Sequence, residues 1–248
     1  MLAGAHAVVT GGGTGIGAAI ARALAGGGAE VSLVGRRMDP LRAVADEIGG
    51  FAVTADVADA EAVERAFDAA RAANGPITVL INNAGIAPSA PFHRTSFEDW
   101  RAVMATNLDG VFHCCQAALG DLRAAQAGRI VTVASVAGLR GFGYVAPYVA
   151  SKHGAVGLMR ALAAEYAGTG LTANAVCPGF VDTQIVADAA ALIAAKGGMG
   201  EDQARAALAA QNAGGRLLSP EEVATVVLEL CDPASTVNGA AVTIEESA

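Results

Sequence analysis

Short β-branched runs alternate with longer alanine-rich segments along most of this chain. "HAVVTG" precedes Ile16 to Gly26, "AEVSLVG" precedes Pro40 to Ile48, and "GFAVTADV" precedes Ala60 to Asn74. The series continues through "ITVLINNAG", two helical stretches around "FEDWRAVMATNLDGVFHCCQAAL", and the later runs "GRIVTVAS" and "LTANAVCPG". Strands that are apolar throughout, rather than on alternate residues, are covered on both faces. The pattern therefore predicts an α/β fold, a doubly wound parallel sheet with helices on both faces. At 248 residues the chain is expected to form one domain, spanning 1–248. In such sheets ligands bind beyond the carboxyl ends of the strands, where the strand order reverses, so the residues that follow each strand carry the argument.

The first of these turns is "TGGGTGIG", residues 10 to 17, between the first strand and the first helix. Glycines let the backbone turn tightly and approach a pyrophosphate, and a helix N-terminus offers free N–H groups and partial positive charge. That placement predicts a Rossmann-type dinucleotide site built on Gly11, Thr14, Gly15, Ile16 and Gly17. After the second strand the chain reads "LVGRR", with Gly35 where an acidic ribose ligand would stand and Arg36 and Arg37 next. Basic residues there accommodate a 2′-phosphate, so NADP(H) is favoured, with NAD(H) as the alternative. Asp39 precedes Pro40 and is expected to be the N-cap of the following helix rather than a ribose ligand.

Composition removes other partners. Mean hydropathy is +0.44, but Gly or charge interrupts the apolar runs before about 18 residues, so no membrane span is expected. The N-terminus lacks a basic leader region, which points to a cytoplasmic protein. A net charge of −8, with no basic cluster beyond Arg36-Arg37, argues against nucleic acid. Cys114, Cys115, Cys177 and Cys231 show no metal or disulfide spacing, and the four histidines are scattered, so no metal site is expected. The segment at about 183–215, with "KGGMG" between two helical pieces, is read as a mobile lid over a substrate site. Beyond it, "SPEEVATVVLELC" carries Ser219 as cap, Pro220 at the first helical position, and Glu221 and Glu222 in the first turn, and "AAVTIEE" closes the sheet.

Only two lysines occur, Lys152 and Lys196. Lys152 follows Tyr148 by four positions in "APYVASKHGAVGLMRALAAEYA", so on a helix the two share a face. A free tyrosine, with a pKa of roughly 10, is about one part in a thousand phenolate at neutrality, and a shift of two to three units corresponds to roughly 3–4 kcal/mol. A nearby cation favours the phenolate, which makes Tyr148 a candidate acid/base. Tyr166 has no such partner, and Tyr144 is a candidate substrate contact. Phe97 and Trp100 read as packing residues, and Glu245 and Glu246 as solvated carboxylates.

Taken together, the glycine turn, Asp56-Val57, Asn82-Asn83-Ala84-Gly85, Asn107, Ser135, Tyr148-Val149-Ala150-Ser151-Lys152 and Pro178-Gly179 resemble the short-chain dehydrogenase/reductase family over essentially the whole chain. The resemblance implies hydride exchange between NAD(P) and a carbonyl or secondary alcohol. It implies Tyr148 as proton donor or acceptor, Ser135 as a hydrogen-bond partner of the substrate oxygen, and Lys152 as ribose ligand and depressant of the Tyr148 pKa. Asn107 would anchor a relay water. Asp56 and Val57 would meet the adenine, Asn83 and Gly85 the adjacent ribose, and Val181 and Thr183, after Pro178-Gly179, the nicotinamide carboxamide and phosphate. A homotetramer is also implied. "TIEES" departs from the Asp-Gly-Gly turn that ends the last strand in many members.

The segments expected around the pocket, "IAPSAPF", "GLRGFGY" and "FVDT", are apolar, which favours a small hydrophobic ketone or alcohol. Similarity to β-ketoacyl and polyketide ketoreductases adds a 3-oxoacyl thioester or aromatic ketone. A carrier-bound substrate would want a basic docking patch that scattered arginines do not supply. The alternative is a cofactor-binding, non-catalytic subunit or regulator, for which an intact Asn107, Ser135, Tyr148 and Lys152 set is not needed.

Overall fold

The computed structural model describes residues 2–244. Seven parallel strands form one sheet in the order β3-β2-β1-β4-β5-β6-β7. They are β1 (His6–Thr10), β2 (Glu30–Gly35), β3 (Phe51–Thr54), β4 (Val79–Asn82), β5 (Arg129–Val133), β6 (Thr172–Cys177) and β7 (Ala241–Thr243). The helices are α1 (Gly15–Gly26), α2 (Met38–Ile48), α3 (Ala60–Asn74), α4 (Phe97–Met104), α5 (Gly110–Ala124), α6 (Ala146–Glu165), α7 (Gln184–Gly197), α8 (Glu201–Ala209) and α9 (Pro220–Cys231). This is the Rossmann-type doubly wound arrangement, and the order reverses between β1 and β4.

The strands are apolar on both faces because each face meets helices. Along β1, Ala7 and Val9 join a core with Ile20, Leu24 and Val227 from α1 and α9. Val8, between them, points the other way into a core with Phe67, Leu122 and Met159 from α3, α5 and α6. The cysteines at 114, 115, 177 and 231 are buried and unbridged, as core residues of these layers. No described helix is long and apolar enough to cross a membrane.

The segment read as a lid does form two helices, α7 and α8, joined across "GMG". They pack on each other through Val186, Ala190, Ala204 and Leu208, a small cluster separate from the two main cores. The last strand stops at Thr243, and Glu245 and Glu246 lie outside the described residues.

The start of α9 follows from its sequence. Ser219 accepts from the Glu222 backbone N–H at 3.2 Å, while the Glu222 carboxylate accepts from Ser219 N at 2.6 Å and from Arg216 at 2.6 Å. These bonds hold the Glu222 carboxyl down at about 2, the Arg216 pairing contributing most. Ser219→Ala removes one half of this reciprocal cap, an expected cost of about 1 kcal/mol. The melting temperature should fall by about 2–4 °C in calorimetry, with nucleotide affinity unchanged.

Candidate active site

At the break in strand order, β1 and β4 are tied together by Thr10 and Asn83. The Thr10 hydroxyl accepts from Asn83 N (3.0 Å) and Ala84 N (3.2 Å), and the Asn83 amide donates to the carbonyls of Thr10 (3.0 Å) and Gly11 (3.3 Å). The glycine turn is thereby fixed over the crevice. Gly11 has φ +65°, and a Cβ on Gly17 would strike the Gly11 carbonyl oxygen, so the turn closes this tightly only without side chains there.

Two helix starts converge on this turn. Thr14 precedes α1 without a side-chain cap, and no acidic residue occupies the first turn, so the N–H groups there are open to an anion. Thr183 precedes α7, also without a side-chain cap, and a Cβ built on Gly15 would lie 3.3 Å from Thr183 Cγ2. Paired helix N-termini beside a glycine turn fit a diphosphate, and Ile16 packs beneath against the core. Arg36 and Arg37 stand exposed directly after β2. Farther along the edge, half-buried Asp56 accepts from Ala58 N at 3.0 Å, and buried Val57 packs against the position of Gly110. These residues fit a dinucleotide.

One expectation here is corrected. Asp39 does not cap α2: the helix begins at Met38, with Arg37 extended at the cap position, and Asp39 lies inside the first turn. Its charge complements the positive end of the helix from there, without a capping bond.

On the other side of the crevice Asn107 is fully buried, and it sits in a π-turn, Ala105–Asp109, between α4 and α5. The wider turn aims its amide at the loop after β4. Asn107 accepts from Ile86 N (2.9 Å) and donates to Ile86 O (2.8 Å) and to Ser151 Oγ (3.2 Å). Ser151 in turn donates to the Tyr148 carbonyl at 2.8 Å. Asn107, Ser151 and Tyr148 are thus one chain of hydrogen bonds. Reasoning from sequence gave Ser151 and Thr10 no role of their own, since their partners lie up to 74 residues away in the chain.

Tyr148 and Lys152 do share a face of α6, with the Lys152 Nζ 5.7 Å from the centre of the Tyr148 ring. Lys152 is buried and donates to the Val133 carbonyl at 2.7 Å. Gly85 closes over both functions, since a Cβ there would lie 3.3 Å from Asn107 Oδ1 and 3.8 Å from Lys152 Nζ. Ser135 follows β5, accepts from Ala137 N at 3.0 Å, and neighbours Tyr148. Pro178 and Gly179 follow β6. The Pro178 carbonyl accepts from Val136 N at 3.0 Å, and a Cβ on Gly179 would strike the Asn212 amide. Val181 is buried and bridges to Leu218.

Burial pushes the Tyr148 phenol above its ordinary value, and the Ser135 hydroxyl offsets only part of the rise. Lys152 is itself pushed down to about 8 by burial, and one of its donors goes to the Val133 carbonyl.

Residues 5–194 match the family model for short chain dehydrogenase. The chain belongs to the short-chain dehydrogenase family. It is 40% identical to cis-4-hydroxycyclohexanecarboxylate dehydrogenase of Sinomonas cyclohexanicum, over 96% of this chain and 94% of that one. Identity to 3-oxoacyl-(acyl-carrier-protein) reductase of Escherichia coli (strain K12) is 35%, over 95% and 93%. The crystal structure of an actinorhodin polyketide ketoreductase variant with NADPH superposes with a TM-score of 0.94 at 35% identity, covering 99% and 98%. As a short-chain dehydrogenase, the protein is an oxidoreductase acting on CH–OH and C=O groups.

The buried lysine makes a stability prediction. Its folded-state pKa lies below that of the unfolded chain, so protonation favours unfolding. The penalty is about 3 kcal/mol in full below pH 8 and fades as pH rises toward the ordinary value near 10.5. In the absence of nucleotide, Lys152→Met should be more resistant to urea than the parent at pH 7, with the gap closing by pH 10. A less stable variant with a pH-independent difference contradicts this account.

Proposed function

We propose that the protein reduces a small hydrophobic ketone to its secondary alcohol, or runs the reverse reaction, with NADP(H) as the preferred cofactor and Tyr148 as the acid/base. The observation that carries this reading is the meeting of Tyr148, Ser135, Lys152 and Asn107 at the carboxyl edge of β4, β5 and β6, beside the glycine turn. A non-catalytic binding role would not require Asn107, Ser135, Tyr148 and Lys152 all to meet there.

The bound cofactor supplies or accepts the hydride at the carbonyl carbon. In reduction Tyr148 gives its proton to the carbonyl oxygen, and in oxidation it takes the proton from the alcohol. A phenol whose pKa is raised by burial is held protonated, ready for the reductive direction. Ser135 orients the substrate oxygen. Lys152 has donors beyond the one given to Val133, and these are available to a ribose hydroxyl. Asn107 holds the loop after β4 and anchors the relay that returns a proton to Tyr148.

Arg36, exposed after β2, supports NADP(H), as does the NADPH held by the ketoreductase relative. Pro178, Gly179, Val181 and Thr183 are assigned to the nicotinamide end, Asp56 and Val57 to the adenine, and Asn83 and Gly85 to the ribose between. The relatives act on a ring alcohol and on a 3-oxoacyl group, which supports a cyclic or β-oxo ketone as substrate. Helices α7 and α8 form the lid, and half-exposed Phe112 on α5 supports assembly into a tetramer through that face.

Two measurements test the reading. With a panel of cyclic and β-oxo ketones, Tyr148→Phe should lower kcat/KM by about 10²–10⁴-fold while NADPH still binds by fluorescence. Activity that survives the change sinks the assignment. Arg36→Ala should raise the KM for NADPH and leave that for NADH nearly unchanged; a parent enzyme that prefers NADH refutes the role of Arg36.

A further inference from the structure

Beside Ser135 lies a cavity of about 290 Å³, whose wall includes Val136, Arg140, Gly179, Phe180, Gln211 and Leu218. Val136 follows Ser135 and Gly179 follows Pro178, so the cavity lies at the same carboxyl edge of the sheet as the proposed reacting residues. Its volume falls at the lower end of the range for small-ligand sites, about 300–1,000 Å³, which suits a ring or short chain and not a long acyl tail.

One cation lines this cavity. The Arg140 guanidinium is held 5.0 Å over the centre of the Phe142 ring, and Phe142 meets Phe180 edge-on at 6.3 Å. The two aromatic rings fix the direction of a long side chain that would otherwise roam in solvent. Among the described residues no carboxylate lies within ion-pair distance of Arg140. The neighbouring Asn212 is fully occupied: it accepts from Phe180 N and donates to Phe180 O and Arg216 O, each at 2.7–2.8 Å. The polar capacity of the wall therefore rests on Arg140, with the exposed amide of Gln211 beside it. A guanidinium braced on an aromatic ring at the wall of this cavity can meet a single planar anion bidentately.

We infer that Arg140 is a specificity-determining residue, which binds a carboxylate carried by the ketone or alcohol at the end remote from the reacting oxygen. This rests on the ketone reductase reading above and narrows its substrate class to small oxo or hydroxy acids.

The test separates binding from turnover. Cyclohexanecarboxylate should raise the melting temperature of the NADP-saturated protein, with an effect that weakens as salt rises. Its methyl ester should do so much less. Arg140→Met should abolish the difference between the two, and Arg140→Lys should keep part of it. In kinetics, 4-oxocyclohexanecarboxylate should show a KM at least tenfold higher in Arg140→Met, with kcat changed less than about threefold and 4-methylcyclohexanone unaffected. An equal response of the parent to acid and ester overturns the inference, even if neutral ketones are reduced. So does an Arg140→Met variant that still distinguishes them, or a larger response to coenzyme A than to the acid. Acid-selective binding without turnover of any ketone would instead remove the reductase reading and leave the anion site standing.

Discussion

Where the strand order reverses, β1 and β4 pair as neighbours only as far as Val9 and Ile81, and the turns beyond those residues need a further tie. Thr10 and Asn83 supply that constraint. One hydroxyl accepts two backbone N–H groups from the far strand, and one amide returns donors to two carbonyls of the near one. The glycine turn on one side and Gly85, Asn107 and Lys152 on the other are positioned relative to that clasp. Because these groups are half-buried or buried, each bond replaces one otherwise made to water. Removing a partner would leave an unsatisfied donor or acceptor rather than merely lose a contact.

The strand β5 shows what distinguishes the lysine at position 152 from an arginine in a chain with only two lysines. At its start, buried Arg129 fans its guanidinium across the carbonyls of Gly128, Gly170, Asp232, Pro233 and Ser235. The planar fork is consumed by structure, and it ties the base of the sheet to the end of α9. At the other end of the strand, Lys152 gives one bond to Val133 and has donors in reserve on a compact, rotatable head. Burial also makes that ammonium easy to discharge, at about 8, whereas a guanidinium remains charged. The site thus holds a group that costs stability in the empty fold, a common mark of a position selected for chemistry.

The sheet, its strand series, the glycine turn and the Tyr148–Lys152 pairing were legible because each rests on local pattern: continuous apolar runs, strand–glycine–helix order, and an i to i+4 spacing. What depends on folding at a distance was not legible. The π-turn that aims Asn107 leaves no local signature in "VMATNLDGV", and Ser151 acquires its role only when α6 packs against that turn. Helical spacing shows that a cation is near, but burial, which acts oppositely on the phenol, is a property of the assembled layers. The start of α2 differed because Arg37 takes the extended cap conformation one turn position before Asp39, which proline spacing alone does not reveal.

The loops around the cavity are anchored at both ends. The segment carrying α7 and α8 is joined to the Pro178–Thr183 turn by the Asn212 amide on Phe180 and by the Arg205–Asp182 ion pair at 2.6 Å. At its far end Arg216 pairs with Glu222, the residue that completes the cap of α9. Across the crevice, Tyr144 adopts φ +67°, unusual for a residue with a side chain, and its carbonyl accepts from Ala90 N at 2.8 Å. That strained backbone bond fixes the loop bearing Arg140 and Phe142 to the loop after β4. The cavity is consequently bounded by segments that are each tied to a sheet strand or a capped helix within a few residues. A change of side chain at Arg140 or Phe142 would leave the Asn107–Ser151 bond intact, since that bond is held by α6 and the π-turn rather than by this loop.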